Sequence, residues 1–464
     1  MEYDRRAVSQ RSDYVALPVT PAVAARSIDP THPLSESAAP DSSGPAYVLG
    51  MDIEGVRCFK RRQSLDLTDD DGRPALWTVI LGDNGTGKTT LLQSLVYGMA
   101  ASTAGSASYR AAHTWGDGLA RSGTRAFWGW ELTPVESLGQ QRPPVARLTA
   151  VTDGRGVSFD LPPGGRVAPL VVAYGAARHI GPSSLTPDES DDPTATLLAA
   201  DTPLLNAEEW LLRLDYRASR STGELARRQR ERVRQLLIAL LPDVEEIHIE
   251  PPRGNGGEGP VRFRTPYGEV RLSELGLGYQ CTIGWMVDLA SRLYARYPES
   301  DDPLGEPAVV LVDEIDLHLH PRWQRDLVAL VSSRFPAVQF IFTAHSPLVV
   351  QSAEGANLAT LRRDKDTVVI DNDPVAATGW RIDQLLTSDL FGLRSARGPR
   401  VERLLDERAR LLAKPAPSAA ERARLREIEA ELEPLPTASL PEDQEAMDII
   451  RRAASRLRQS ADAT

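Results

Sequence analysis

The sequence predicts an α/β protein: a largely parallel sheet carrying a phosphate-binding loop, joined by a β-rich subdomain, a helical insertion and a C-terminal helical region. Three observations predict it. An apolar run over 76–81 passes without a gap into Gly82-Asp83-Asn84-Gly85-Thr86-Gly87-Lys88-Thr89 and then into Thr90-Leu91-Leu92. A second run, over 308–312, ends in Asp313-Glu314, and a third, over 339–343, ends in Ala344-His345. Continuous apolar runs of this length read as strands buried on both faces. The C-terminal edge of such strands is where open α/β sheets bind nucleotides.

The first run has the strand–loop–helix context that a P-loop requires. Glycines let the backbone curl so that successive N–H groups face phosphate oxygens, and the helix that follows adds the positive end of its dipole. Lys88 can reach the β- and γ-phosphates as a mobile point charge. The Thr89 hydroxyl can take one coordination site of Mg²⁺, a cation that prefers oxygen ligands. The candidate nucleotide contacts are therefore Gly82, Asp83, Asn84, Gly85, Thr86, Gly87, Lys88, Thr89 and Thr90, and the expected ligands are ATP and Mg²⁺.

The second run, placed beside the P-loop strand, brings Asp313 to the nucleotide edge to hold Mg²⁺ directly or through water. Glu314 then orients and polarises the attacking water. At the end of the third run His345 can hydrogen-bond a γ-phosphate oxygen. A core strand that merely happens to end in acids is the plain alternative, which the P-loop in the same chain disfavours. His318 and His320 invite a metal reading, but two histidines two apart lack a helical ligand face and a cysteine partner. Packing at a dimer contact is the expected role.

The 464 residues suffice for two or three domains, or for one large domain with insertions. Lys and Arg number 53 against 64 Asp and Glu, a net charge of −11, which argues against a globally basic nucleic-acid binder. Two cysteines, Cys58 and Cys281, offer neither a disulfide framework nor a zinc motif and suit a reducing cytoplasm. Each is expected to be a small buried hydrophobe. No apolar run approaches a membrane span, and no signal peptide is expected.

In chain order, 1–45 is rich in Pro, Ser, Ala and charge and is expected to be disordered, a docking arm being the alternative. Strands are expected at 47–59, 64–67, 127–132, 145–151 and 157–161, with 153–156 as a hairpin turn, and at 170–175. The segment 181–203 reads as an acidic, Pro-rich loop. Helices follow at 208–214 and 223–241. Between Arg217 and Arg234 lie seven arginines and two glutamates. This stretch can meet DNA or an acidic partner, but its Glu/Arg spacing favours a solvated helix face. Strands at 244–249, 261–264 and 270–272 precede Ser273-Glu274-Leu275-Gly276-Leu277-Gly278-Tyr279-Gln280 and a helix with Ile283, Val287, Ala290, Tyr294 and Tyr297 on one stripe. After the 308–347 block, a helix over 400–412 is broken by Lys414-Pro415-Ala416-Pro417. Ser418 and Glu421 form a capping-box pair that starts the next helix, and a third carries Met447, Ile450 and Leu457.

This order of motifs resembles the ATP-binding-cassette ATPases, and within them the RecF/SMC/OLD-like AAA-family branch. The phrases Asp313-Glu314-Ile315-Asp316-Leu317-His318-Leu319-His320-Pro321 and Thr343-Ala344-His345-Ser346-Pro347 carry the resemblance, which covers about 46–390. The chain is especially similar to stand-alone bacterial AAA ATP-binding proteins and to the ATPases of Septu-type antiphage systems. The resemblance implies an ABC-ATPase-like head that dimerises head-to-tail around two ATP molecules, each capped by Gly276 and Gly278 in the signature of the other copy. Gly276 stands where the family usually has serine, and Tyr279 where many members have Gln or Glu. The missing hydroxyl bears on the hydrolysis rate more than on ATP binding. No Q-loop glutamine is identifiable, and Arg178 occupies a plausible place.

The expected organisation is a disordered 1–45, the two halves of the head at 46–180 and 244–380, an acidic loop and helical insertion at 181–243, and a helical region at 381–464. The helical 381–464 region is not expected to hold the Toprim nuclease of OLD proteins, and the short insert is not expected to form a long SMC coiled coil. The expected function is ATP hydrolysis to ADP and phosphate in a homodimer or higher oligomer. That dimer would act as a cytoplasmic switch for a partner nuclease or DNA in repair or phage defence. A nucleotide-stabilised scaffold with little hydrolysis, regulating an associated nuclease, is the alternative. A transporter ATPase is disfavoured by the C-terminal helices and the Thr-Ala-His-Ser-Pro phrase.

Overall fold

The computed structural model describes residues 44–102, 119–120, 125–139, 145–152, 157–160, 169–181, 192–220, 224–241, 243–249, 261–353, 355–374 and 379–433. The expectations for 1–43, for the turn 153–156, for residues 182–191 of the 181–203 loop and for the helix around Met447 lie outside the described residues; the described part of that loop departs from the expectation in one helical turn, Ala195–Leu198.

The chain runs β1 (Ala46–Glu54), β2 (Gln63–Asp66), β3 (Trp77–Gly82), α1 (Lys88–Ser102), β4 (Ala126–Pro134), β5 (Ala146–Thr152), β6 (Val157–Asp160) and β7 (Val171–Tyr174). Then come α2 (Ala207–Arg220), α3 (Glu224–Leu240), β8 (Glu246–Ile249), β9 (Val261–Thr265), β10 (Gly268–Arg271) and α4 (Leu277–Arg296). The first unit closes with β11 (Ala308–Val312), α5 (Pro321–Arg334), β12 (Val338–Thr343), α6 (Pro347–Ser352), β13 (Asn357–Asp364) and β14 (Thr367–Asp371).

The central sheet has the order β14-β13-β3-β12-β11-β7. All neighbours in it are parallel except β13 and β14. The strand that ends in Asp313 is therefore not beside the P-loop strand, as the sequence reading had it, because β12 lies between them. A second sheet, β2-β1-β4-β5-β6, is antiparallel throughout. Between the two sheets α1 packs Leu91, Leu92, Leu95 and Val96 into one core with Ile80, Ile341, Trp128 and Trp130. From Thr90 to Met99 every residue of α1 is buried, the polar Gln93 and Ser94 included, so this stretch has no solvent-facing side. A Cβ on Gly98 would lie 2.1 Å from the Trp130 indole, so only glycine lets helix and sheet approach this closely.

Gln339 is an amide inside an otherwise apolar strand. It accepts from Val48 N at 2.9 Å and donates to Val48 O at 2.8 Å, tying β12 to β1 of the other sheet. Buried amides persist where they are fully paired in this way.

The stripe expected on α4 understates the helix. Every residue from Cys281 to Ala290 is buried, because α4 packs against β7 on one side and α2 and α3 on others. Among these residues is the carboxylate of Asp288, 2% exposed, which accepts from Tyr174 Oη at 2.9 Å and pairs with Arg292 at 3.3 Å. Asp288→Ala leaves Arg292 without this partner, and about 3–5 kcal/mol of stability is expected to be lost. Urea denaturation monitored by tryptophan fluorescence measures this.

The arginine-rich stretch is largely neutralised within the fold. Arg228 pairs with Asp301, Arg230 with Asp215, Arg232 with Asp302, and Arg234 with Glu231 and Glu246. The face is solvated as expected, but its partners are mostly acids distant in sequence, Arg234–Glu231 being the one pair at helical Glu/Arg spacing among those described. Helices α2 and α3 bury Leu211, Leu214, Val233, Leu236 and Leu237 on the opposite side. The three-stranded antiparallel sheet β10-β9-β8 lies beside them.

The second unit begins at Arg381. It contains α7 (Ile382–Thr387), α8 (Pro399–Leu412) and α9 (Ala419–Leu432). Ser418 and Glu421 form the expected capping box. Helices α8 and α9 are laced by Arg424–Glu407 at 2.9 Å and Arg400–Glu431 at 2.7 Å around the buried Ile428.

Candidate nucleotide site

The P-loop turns between β3 and α1. Gly82, Gly85 and Gly87 have φ of 152°, 77° and 91°, in the region side chains avoid. Gly87 is confined twice over, since a Cβ there would lie 2.4 Å from Cys58 Sγ and 3.0 Å from the Phe59 ring. Gly87→Ala is therefore expected to weaken ATP binding by about one to two orders of magnitude through backbone strain. Adding Cys58→Ala should recover part of the loss. Titration with a fluorescent ATP analogue measures both.

Lys88 opens α1. Its Nζ donates to Gly82 O at 2.7 Å and to Asp83 O at 3.1 Å, so the ammonium lies across the mouth of the loop. Burial pushes this amine down from its ordinary range, while Asp313, Glu314, Asp83 and Asp316 oppose the shift. Thr86 closes the turn, its Oγ1 donating to Asp83 O at 2.8 Å.

One residue on, Thr89 Oγ1 donates to Asp313 Oδ2 at 2.6 Å. The other carboxylate oxygen, Oδ1, accepts from Thr343 Oγ1 at 2.7 Å. The Thr343 hydroxyl in turn accepts from Glu314 N at 2.7 Å. The first turn of α1 and the ends of β11 and β12 thus meet in one chain of hydrogen bonds, across the intervening strand. Thr343 is the residue that sequence reasoning missed. Its signal is a hydroxyl at the last position of an apolar strand, where a core residue would otherwise be apolar. The donor set fits Mg²⁺, a hard cation that takes few protein oxygens and leaves the rest to water and phosphate. Among the described residues no group of three or more His, Cys, Asp or Glu is placed to hold a metal by itself.

His345 follows β12 with its side chain exposed, and its backbone N–H is fixed to Asp316 Oδ2 at 3.0 Å. Arg57, also missed, reaches Thr90 Oγ1 and Gln93 Oε1 at 3.5 Å each over the first turns of α1. Arg178, the residue at the plausible Q-loop place, is 3% exposed, and its guanidinium turns inward onto the Asp313–Glu314 backbone. Asn84 and Gly85 form the outer part of the loop, and Thr90 is buried in the first turn of α1.

Gly276 and Gly278 are not hydrogen-bonded to this network among the described residues. Gly276 is the N-cap of α4, with no side chain to cap it. Gly278 packs against the loop after Glu314, where a Cβ would lie 2.3 Å from His318 O. Tyr279 stands edge-on to Trp323 at 4.4 Å and donates its hydroxyl to Asp243. His318 takes a φ of 64° in the turn, and His320 caps α5 by accepting from Arg322 N at 3.3 Å.

A family model described as "AAA domain" matches residues 51–123, which hold the P-loop. A second, described as "AAA domain, putative AbiEii toxin, Type IV TA system", matches 181–351, which hold Asp313, Glu314 and His345. The Septu protein PtuA of Bacillus mycoides (strain KBAB4) is 24% identical over 377 residues, 80% of this chain. The chain is similar to the Septu-type AAA ATPases. It is also 33% identical to the "Retron Ec83 probable ATPase" of Escherichia coli over 155 residues, 33% of this chain. The chain spans about half the length of the first relative, 48%, and 27% of the second. Among solved structures, the SMC head domain from Thermotoga maritima superposes with a TM-score of 0.39 at 14% identity, covering 70% of this chain and 98% of that one. Among the described residues no helix is long and apolar enough to cross a membrane.

Proposed function

We propose that this chain hydrolyses ATP to ADP and phosphate in a head-to-tail homodimer, and that the ATP-bound dimer is a cytoplasmic switch for a partner nuclease or DNA in phage defence or repair. The observation that carries the reading is the link from Thr89 through Asp313 and Thr343 to Glu314. It brings the Thr89 hydroxyl, the Asp313 carboxylate and the backbone of Glu314 to one sheet edge, the groups to which this reading gives the metal and the general base. Similarity to a Septu protein and to retron ATPases supports the assignment to defence.

In this reading Lys88 leaves the carbonyls of Gly82 and Asp83 for the β- and γ-phosphates. Thr89 and Asp313 hold Mg²⁺, which neutralises phosphate charge when bound. Glu314 takes a proton from the attacking water, and His345 donates to a γ-phosphate oxygen. The N-terminus of α4 in the second copy, from Gly276 to Gly278, caps the same phosphate through backbone N–H groups. ATP turnover by the wild type, set against the Lys88→Ala background, tests this.

One observation favours a second reading. Gly276 supplies no hydroxyl at the helix cap, so the chain could bind ATP as a nucleotide-stabilised scaffold that regulates a nuclease with little hydrolysis. Turnover no higher than the Lys88→Ala background, with ATP still bound, would favour the scaffold.

A further inference from the structure

Four residues beyond β7, the chain buries a full positive charge that neither phosphate chemistry nor an ion pair of its own accounts for. Arg178 is 3% exposed. Its Nη1 donates to Asp313 O and its Nη2 to Glu314 O, each at 2.7 Å. Both hydrogen bonds end on backbone carbonyls, a costly use of a buried guanidinium. Burial pulls this guanidinium down, and Cys281, then Asp313, Asp316 and Glu314, the last three gathered at the nucleotide edge, oppose the shift.

The segment it grips is strained. Glu314 has a φ of 48° and Arg178 itself one of 27°. A non-glycine residue held there costs on the order of 1–3 kcal/mol and persists only where its surroundings over-determine it. They do so here. Asp313 N donates to Tyr174 O at 2.8 Å, Glu314 N to Thr343 Oγ1 at 2.7 Å and Ile315 N to Thr343 O at 3.0 Å. Both carbonyls between these donors belong to Arg178. The planar fork of a guanidinium can reach two carbonyls one residue apart, and an ammonium cannot do so in the same geometry. On its other side Arg178 neighbours Cys281 in the first turns of α4, so it lies between the signature helix and the acidic turn.

We propose that Arg178 is a positioning residue for ATP hydrolysis: it fixes the Asp313–Glu314 backbone so that the Glu314 carboxylate stands where it can meet the attacking water. Its burial keeps it from touching nucleotide. The proposal rests on the ATPase reading above.

The test compares wild type, Arg178→Lys, Glu314→Gln and the double variant for melting temperature, ATP affinity with and without Mg²⁺, and turnover. Arg178→Lys is expected to fold and to bind Mg²⁺-free ATP as wild type does, with turnover down about a hundredfold, the scale of a misplaced reacting group. In the Glu314→Gln background the same change should add little, because both act through one carboxylate. Wild-type turnover by Arg178→Lys, or losses that multiply with those of Glu314→Gln, would overturn the proposal. If Arg178→Lys does not fold, Arg178→Ala is assayed with added guanidinium. Restored turnover supports the assignment and no restoration overturns it. Wild-type turnover at the Lys88→Ala background would defeat the ATPase reading instead. The hydrolytic role of Arg178 then falls with it, and the remaining claim, that Arg178 fixes the Asp313–Glu314 backbone, is judged on Mg²⁺: it survives if Arg178→Lys loses the Mg²⁺-dependent gain in ATP affinity that wild type shows. It fails if the two respond alike or if wild type shows no gain.

Discussion

Lys88→Ala is expected to abolish ATP binding while leaving the fold intact. The side chain is 6% exposed and bonded only to the loop carbonyls of Gly82 and Asp83. Its methylene stem occupies little of the core between the sheets, so the melting temperature should barely move. The nucleotide loses much more. In the wild type a buried ammonium, kept charged by Asp313, Glu314, Asp83 and Asp316 against the downward pull of burial, faces the phosphates. Truncating one partner of such a desolvated charge pair costs about 2–5 kcal/mol, about 30-fold to several thousandfold in affinity. The variant also removes one cation from beside Asp313, Glu314, Asp83 and Asp316, which adds repulsion towards an anionic ligand. Calorimetric titration with ATP and Mg²⁺ reads the loss, and wild-type affinity in Lys88→Ala would contradict the phosphate-loop assignment.

Glu314→Gln should have the second large effect, of a different kind. The amide is nearly isosteric and keeps the backbone bonds from Glu314 N to Thr343 Oγ1 and from Arg178 to Glu314 O. Asp313 and Thr89 remain paired, so Mg²⁺ and ATP should still bind. An amide cannot take a proton from water, and loss of a general base costs about 10²–10⁴ in rate. With hydrolysis slowed and binding kept, the ATP-bound form should accumulate, and in a head-to-tail dimer that form is the closed pair. Unchanged turnover would remove Glu314 from the mechanism.

The sequence made the nucleotide edge legible because it states that edge locally. Apolar runs fix β3, β11 and β12, and the functional residues directly follow each run. Strand order was not legible: nothing in the residues said that β12 would separate β11 from β3, since parallel strands buried on both faces look alike in sequence. Strands β13 and β14 and helix α5 were also passed over, although Thr367-Val368-Val369-Ile370 is a β-branched run beside an Asp-Lys-Asp turn. The roles of Thr343 and Arg178 depend on contacts across 30 and 135 positions of chain, which no local pattern contains. The stripe read on α4 missed its burial because the partners on its other faces come from β7 and the helical insertion. The capping box at Ser418 was readable because short-range spacing governs it, whereas the acids that pair most of the arginine-rich stretch, Asp215, Glu246, Asp301 and Asp302, come from other parts of the chain and were not.

ATP turnover and mass by light scattering, measured together for wild type and Glu314→Gln with and without ATP and Mg²⁺, test the ATP-driven switch most directly. The switch predicts that wild type hydrolyses ATP, and that Glu314→Gln hydrolyses it at least about a hundredfold more slowly and collects as a dimer only when ATP and Mg²⁺ are present. Equal turnover in the two proteins, or one unchanging mass with and without nucleotide, would contradict it.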